Sequence, residues 1–261
     1  MKIIVCIKQV PDTTEVKLDP KTGRLIRDGV PSIINPDDKN ALEEALRIKD
    51  ENPDTTVTVV SMGPPQADVA MREALAMGAD EAILISGREF GGSDTWATSY
   101  IIATAIKKIP DYDIIFCGRQ AIDGDTAQVG PQIAEQLNIP QITYVQKLDI
   151  EGDKVIVQRQ LEDGHTVVEA KMPVLLTAIK ELNTPRYMTP KGIFEAYNKT
   201  VQVWGFNDVP VDAEKIGLKG SPTNVNRTFS PEAKGKGIML EGADKETVKT
   251  LIAKLDEKHL L

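Results

Sequence analysis

Short, nearly continuous apolar runs alternate with segments of helical period along the first two thirds of the chain, and this alternation constrains the fold most. The runs are Lys2–Lys8, Thr55–Ser61, Glu81–Ile85, Asp113–Cys117 and Val174–Ala178. They are rich in Ile and Val and lack a polar alternation, as strands do when a parallel sheet is covered on both faces. Between them, Lys39–Lys49 gathers Leu42, Ala45, Leu46 and Ile48 toward one side, and Gln66–Met77 does the same with Val69, Ala70, Leu75 and Met77. Trp96–Ile109 carries Ile101, Ile102, Ala105 and Ile109, and Gln132–Leu137 carries Ile133, Ala134 and Leu137. Strand and helix in alternation predict an α/β fold: an open, mostly parallel five-stranded sheet with flanking helices joined by right-handed crossovers.

Two regions depart from the alternation. Val16–Arg27 reads as two extended pieces around a turn at Asp19–Gly23, and residues 142–170 read as an antiparallel excursion cut by turns at Glu151–Asp153 and Asp163–Gly164. After Lys180 the pattern weakens. Pro185, Pro190, Pro210, Pro222 and Pro231 punctuate a stretch too long for an ordinary loop, which then closes on an amphipathic helix, Glu246–Lys258. The expected organisation is an α/β domain over 1–180 and a tail over 181–261 that extends onto a partner.

The chain of 261 residues is 41% apolar and carries a formal charge of -8. An acidic surface argues against a nucleic-acid backbone as partner. No apolar run approaches the ~20 residues of a membrane-spanning helix, and the N-terminal run is too short for a signal peptide, so a cytoplasmic location is expected. Two cysteines, Cys6 and Cys117, lie in or at the end of apolar runs, and two histidines cannot build a conventional zinc site. No nucleophile has a convincing base beside it in the sequence.

What the chain offers instead is places to hold a polar ligand. In open α/β sheets ligands bind beyond the carboxyl ends of the strands, where strand order reverses. A common order, 3-2-1-4-5, sets strands one and four side by side, and the loops after them then line one crevice. The loop after the fourth strand is "CGRQAIDGDTAQVGPQIAEQL", Cys117–Leu137. Its glycines permit close backbone approach, Asp125 or Thr126 can cap the next helix, and the free N–H groups of that helix's first turn can hold a phosphate without a lysine. Asp123 and Gln128 can bond a ribose or a base. An ordinary loop and cap is the alternative. The "NPDD" stretch at 35–38 offers Asn35 as a base contact and Asp37 or Asp38 as a cap. A second glycine-rich loop, "SGREFGGSDTWATSY" at 86–100, places Arg88 and a diglycine before a helix start, an arrangement that can receive a pyrophosphate or can simply be a capped loop.

Over essentially its full length the sequence resembles the beta subunit of electron-transferring flavoproteins. The likeness rests on "VCIKQVPD" at 5–12, "INPDDKNALEEALRIKD" at 34–50, "SMGPPQADVAMREALAMGADEA" at 61–82, the 117–137 stretch, and "VQRQLEDGHTVVEAKMPVLLTA" at 157–178. The resemblance implies a heterodimer with an alpha subunit and a nucleotide in the crevice. That nucleotide is AMP in the ordinary branch and a second FAD, with NADH docking beside it, in the electron-bifurcating branch. "REFGGSDTWATS" at 88–99 resembles the bifurcating branch, as does "AIDGDTAQVGP" at 121–131.

On that resemblance, Cys6, Asn35, Met62, Gly118, Asp123, Gly124, Asp125, Thr126, Gln128, Val129 and Gly130 are expected to hold FAD or AMP. Arg88, Phe90, Gly91, Gly92, Ser93, Asp94, Thr95 and Thr98 are expected to meet NADH. It also implies that electrons from NADH divide between ferredoxin or flavodoxin and, through the alpha-subunit FAD, an acyl-CoA dehydrogenase or other flavin-dependent dehydrogenase, or run the reverse way. The cofactor then carries the chemistry, and no acid–base catalytic residue is expected.

Overall fold

The computed structural model describes residues 1–12, 31–226 and 235–261, so the extended pieces expected within 16–27 lie outside the described residues. Its strands and helices follow in the order β1 Lys2–Cys6, β2 Gln9–Pro11, β3 Ser32–Ile34, α1 Pro36–Glu51, β4 Thr56–Met62, α2 Asp68–Met77, β5 Glu81–Ile85, α3 Thr95–Ile106, β6 Ile114–Gly118 and α4 Val129–Leu137. After these come β7 Gln141–Glu151, β8 Lys154–Gln160, β9 His165–Lys171, β10 Val174–Ala178, α5 Pro190–Ala196, β11 Val201–Trp204, α6 Gly217–Gly220 and α7 Lys245–Glu257.

The five apolar runs become β1, β4, β5, β6 and β10, side by side in the order β5-β4-β1-β6-β10 with every pairing parallel. Numbered as the sequence presents them, that is 3-2-1-4-5, so strands one and four are neighbours. Successive side chains point to opposite faces. Ile3, Val5, Ile114 and Phe116 therefore join the layer built with Leu42, Leu46, Met71 and Leu75 of α1 and α2, while Ile4, Cys6, Ile115 and Cys117 join the layer built with Ile101, Ile106, Ile133 and Ala134 of α3 and α4.

The sheet is wider than five strands. The 142–170 excursion is not a separate appendage: β7 starts parallel to β10, then runs on as the first strand of an antiparallel β7-β8-β9 extension. At the other edge β11 pairs in parallel with β5, giving a sheet of nine strands among the described residues, and β2 pairs antiparallel with β3 in a small two-stranded sheet.

The compact unit runs from Met1 to Val225, past the boundary expected at 180. Residues 182–186 lie over the polar side of α1, which explains a helix with Asn40, Glu43 and Glu44 all buried. Arg186 grips the Glu43 carboxylate through Nε at 2.9 Å and an Nη at 3.0 Å, and reaches Asp50 at 2.7 Å. Asn183 Nδ2 donates to Glu44 Oε2 at 2.8 Å. Farther along, Arg72 of α2 donates to the carbonyls of Ala196 and Lys199, each at 2.8 Å, fixing the approach to β11. The second unit, Asn226–Leu261, contains α7, capped by Asp244 accepting from Thr247 N–H at 2.8 Å, with Val248, Leu251 and Ile252 exposed. Among the described residues no helix is long and apolar enough to cross a membrane.

Replacing Arg186 by Met strands a carboxylate, Glu43, whose side chain is only 6% exposed. We expect a loss of roughly 2–3 kcal/mol, below the full cost of breaking a buried pair because part of Arg186 faces solvent. A fall in the urea midpoint at unchanged slope checks it.

Candidate functional site

The carboxyl ends of β1, β4, β5 and β6 open into one cavity of about 1360 Å³. Its position follows from topology: crossovers run outward through β4 and β5 on one side of β1 and through β6 and β10 on the other, leaving a crevice between the ends of β1 and β6.

Asp38, in the first turn of α1, closes the floor of that crevice. Its Oδ2 accepts the Lys8 N–H at 2.8 Å and its Oδ1 accepts the Gly118 N–H at 2.9 Å. The helix comes so near the strand that a Cβ on residue 118 would stand 2.2 Å from Asp38 Oδ1 and 2.6 Å from Asp38 N, so only glycine fits. Burial pushes the Asp38 carboxyl up to about 7, against the Asn35 side chain and the Lys8 and Gly118 N–H groups, which favour the carboxylate.

Of the residues expected to hold FAD or AMP, Cys6, Met62, Gly118, Gly124, Asp125, Thr126, Gln128, Val129 and Gly130 all line the cavity. Asn35 and Asp123 do not. Asn35 is fully buried at the N-terminal boundary of α1; its Nδ2 donates to Gln120 O at 2.8 Å and its Oδ1 accepts from Ile122 N–H at 3.0 Å, so it shapes the 120–122 loop from behind. The Asp123 carboxylate pairs with Lys8 Nζ at 2.6 Å and is almost wholly covered.

The expected caps also shift. The boundary residue of α4 is Gln128, not Asp125 or Thr126, and it makes no side-chain cap. Asp125 instead accepts from Gln120 Nε2 at 2.7 Å. Asp125 and Ala127 both hold left-handed backbone, at φ 51° and 53°, at a cost of roughly 1–2 kcal/mol each, so the loop is bent away from a helix start around Thr126. In the first turn of α4 Pro131 has no N–H and the Gln132 N–H donates to Gln128 O at 3.0 Å, which leaves the N–H groups of Val129 and Gly130, both cavity-lining residues, without a side-chain cap.

All eight residues expected to meet NADH line the same cavity. Their roles separate. Asp94 caps α3, its Oδ1 accepting from Ala97 N–H at 3.0 Å, and Ser93 Oγ donates to Phe90 O at 2.8 Å, so these two fix the loop. Burial acts to raise the Asp94 carboxyl, but the N–H groups of Ala97, Thr223 and Trp96 and the Thr223 hydroxyl prevail and hold it below its ordinary value. Arg88 is exposed at the rim and has no ion-pair partner among the described residues.

Sequence reading missed Lys8, Asp38, Arg119, Val203, Thr223 and Val225 as cavity residues. Arg119 carried a signal, being the only cation of the 117–137 stretch; its Nε lies 3.2 Å from Asp37 Oδ2. Val203, Thr223 and Val225 carried none, because β11 and the segment after it reach the site through long-range packing.

Two outcomes test this geometry. Gly118→Ala should destabilise the chain by about 1–3 kcal/mol or more, since neither backbone can give way, measured by thermal unfolding. Because the folded pKa of Asp38 is raised, its contribution to stability is present below the ordinary value of 3.8 and is lost as pH rises through about 7. Urea midpoints from pH 4 to pH 8 should fall more steeply for the natural chain than for Asp38→Asn.

Residues 22–209 match the model of the Electron transfer flavoprotein domain. The chain is 62% identical, over the whole of both sequences, to the Electron transfer flavoprotein subunit beta of Thermoanaerobacterium thermosaccharolyticum. It is 58% identical to the Caffeyl-CoA reductase-Etf complex subunit CarD of Acetobacterium woodii and 53% identical to the Acryloyl-CoA reductase electron transfer subunit gamma of Anaerotignum propionicum, again over the full length of each.

Proposed function

Because the chain belongs to the electron transfer flavoprotein family, as a beta subunit, we propose that it works in the bifurcating manner: it holds FAD in the crevice and receives NADH at the 88–98 loop. The observation that carries this reading is the continuity of the cavity. The loop after β6 and the loop after β5 face one space of about 1360 Å³, more than the ~300–1,000 Å³ of an ordinary small-molecule site.

The residues fit such ligands. The N–H groups of Val129 and Gly130 at the start of α4 suit one phosphate group, with Thr126 lining the same cavity. Arg88 and the amide of Gly92 suit a second, the Gly91 N–H being taken by Arg88 O at 3.1 Å. FAD, when bound, supplies hydride acceptance and one-electron transfer. The chain's part is to bring the two nucleotides together and to surround them. Asp123 and Asp37 are neutralised by Lys8 and Arg119, so they do not repel phosphate. Phe90, Ile102 and Val60 give the cavity dry walls.

On this reading the cytoplasmic partner is an alpha subunit carrying its own FAD, reached by residues of the 181–261 tail. Electrons pass on to ferredoxin or flavodoxin and to an acyl-CoA or other flavin-dependent dehydrogenase. Relatives that carry the names of caffeyl-CoA and acryloyl-CoA reductase complexes favour it.

Denaturing the purified heterodimer should release two FAD; one FAD and one AMP would sink the reading. Arg88→Ala should raise the NADH concentration needed for half-maximal flavin reduction about tenfold, the loss of one charge-assisted contact, while leaving FAD content unchanged. In stopped-flow, ferredoxin should be reduced by NADH only when the high-potential acceptor is also present.

A further inference from the structure

The 91–94 loop does not stand alone. The segment 216–225, the last of the first compact unit, is fastened to it at several points. Asp94 Oδ2 accepts both the Thr223 N–H, at 2.9 Å, and the Thr223 hydroxyl, at 2.7 Å. The Asp94 N–H donates to Ser221 Oγ at 2.8 Å, and Ser221 Oγ donates in turn to Gly217 O at 2.7 Å. The Gly217 N–H donates to Ser93 Oγ at 3.0 Å. The contact is close enough to demand glycine: residue 217 has φ +60°, and a Cβ there would stand 2.4 Å from Glu89 O.

The same carboxylate thus does two things. Oδ1 caps α3, and Oδ2 holds a segment 129 positions away in sequence. Thr223 and Val225 also line the cavity beside Gly91 and Gly92. A ligand seated against the diglycine therefore touches a wall whose shape depends on whether 217–225 is in place.

We propose that Thr223 is a positioning residue for the dinucleotide: through Asp94 it holds the 91–94 loop in its receptive shape, and dinucleotide binding and seating of residues 217–225 reinforce each other. This rests on the NADH reading above. The coupling is reciprocal, so it is visible from either side: anything that loosens the segment weakens binding, and binding protects the segment.

The experiment uses the heterodimer with NAD⁺ as the probe, which binds without turnover. Amide hydrogen exchange in 91–94 and 217–225 should slow severalfold on saturation with NAD⁺. Thr223→Val, which keeps the N–H but removes the hydroxyl, should raise the NAD⁺ Kd about three- to tenfold, the share of one hydrogen bond, without lowering FAD content. Thr223→Ser should restore the natural affinity. A merely structural Thr223 would lower the unfolding temperature but leave exchange at 217–225 indifferent to NAD⁺.

If NAD⁺ fails to bind the unsubstituted complex, the dinucleotide reading falls and takes this inference with it. If NAD⁺ binds but leaves exchange at 217–225 unchanged, or binds Thr223→Val equally well, the reading stands and the positioning role is overturned. The exchange measurement needs no variant, so it decides the matter even where Thr223→Val does not assemble.

Discussion

The Asp38 carboxylate, shared between the N–H groups of Lys8 and Gly118, is the contact on which the site depends. A parallel sheet ends in backbone groups that no further strand pairs, and buried N–H groups without partners are costly. At the reversal of strand order two such ends lie side by side. Asp38 answers both with one side chain and so ties α1 to the paired ends of β1 and β6. Burial disfavours the charged carboxylate and raises its pKa to about 7. The fold tolerates that cost where the spacing of the crevice is set, and glycine at 118 is the steric condition for it.

Around this fixed floor the other charges are arranged in pairs. Lys8, next to the bridged N–H, holds Asp123 at 2.6 Å, and Arg119, next to Gly118, lies 3.2 Å from Asp37. Each pair ties a loop to the floor and removes a negative charge from the path of an anionic ligand. Asn35 completes the support by bonding both a carbonyl and an N–H of the 120–122 loop. The loop that looked like a ligand-binding motif is therefore held by Asn35 from behind and by Lys8 and Arg119, which themselves line the cavity.

Much of this was legible in the sequence, and the limits are physical. The five core strands and four helices were readable because burial on both faces leaves continuous Ile/Val runs; their order was not, 3-2-1-4-5 being a common arrangement that the structure has. β11 was not readable: its four residues, Val201–Trp204, sit at the sheet edge with Gln202 and Val203 exposed, so no apolar run marks it. Asn35 and Asp123 were misplaced for a related reason. Their residue types suit a ligand as well as they suit a loop, and only long-range packing decides which they serve. The caps were misjudged because left-handed backbone at Asp125 and Ala127 delays the start of α4, and nothing in the residue types announces it.

The return of the chain after β10 changes what the α/β unit can hold. Arg186 and Asn183 fasten the returning segment to α1, Arg72 carries it past α2, and β11 extends the sheet beside β5. That edge is where the second glycine-rich loop emerges, and Val203, Thr223 and Val225 complete its side of the cavity. The five-stranded core alone would leave the 88–98 loop on an open flank. Residues 181–225 therefore belong to the first compact unit, and Val203, Thr223 and Val225 among them complete one wall of its cavity.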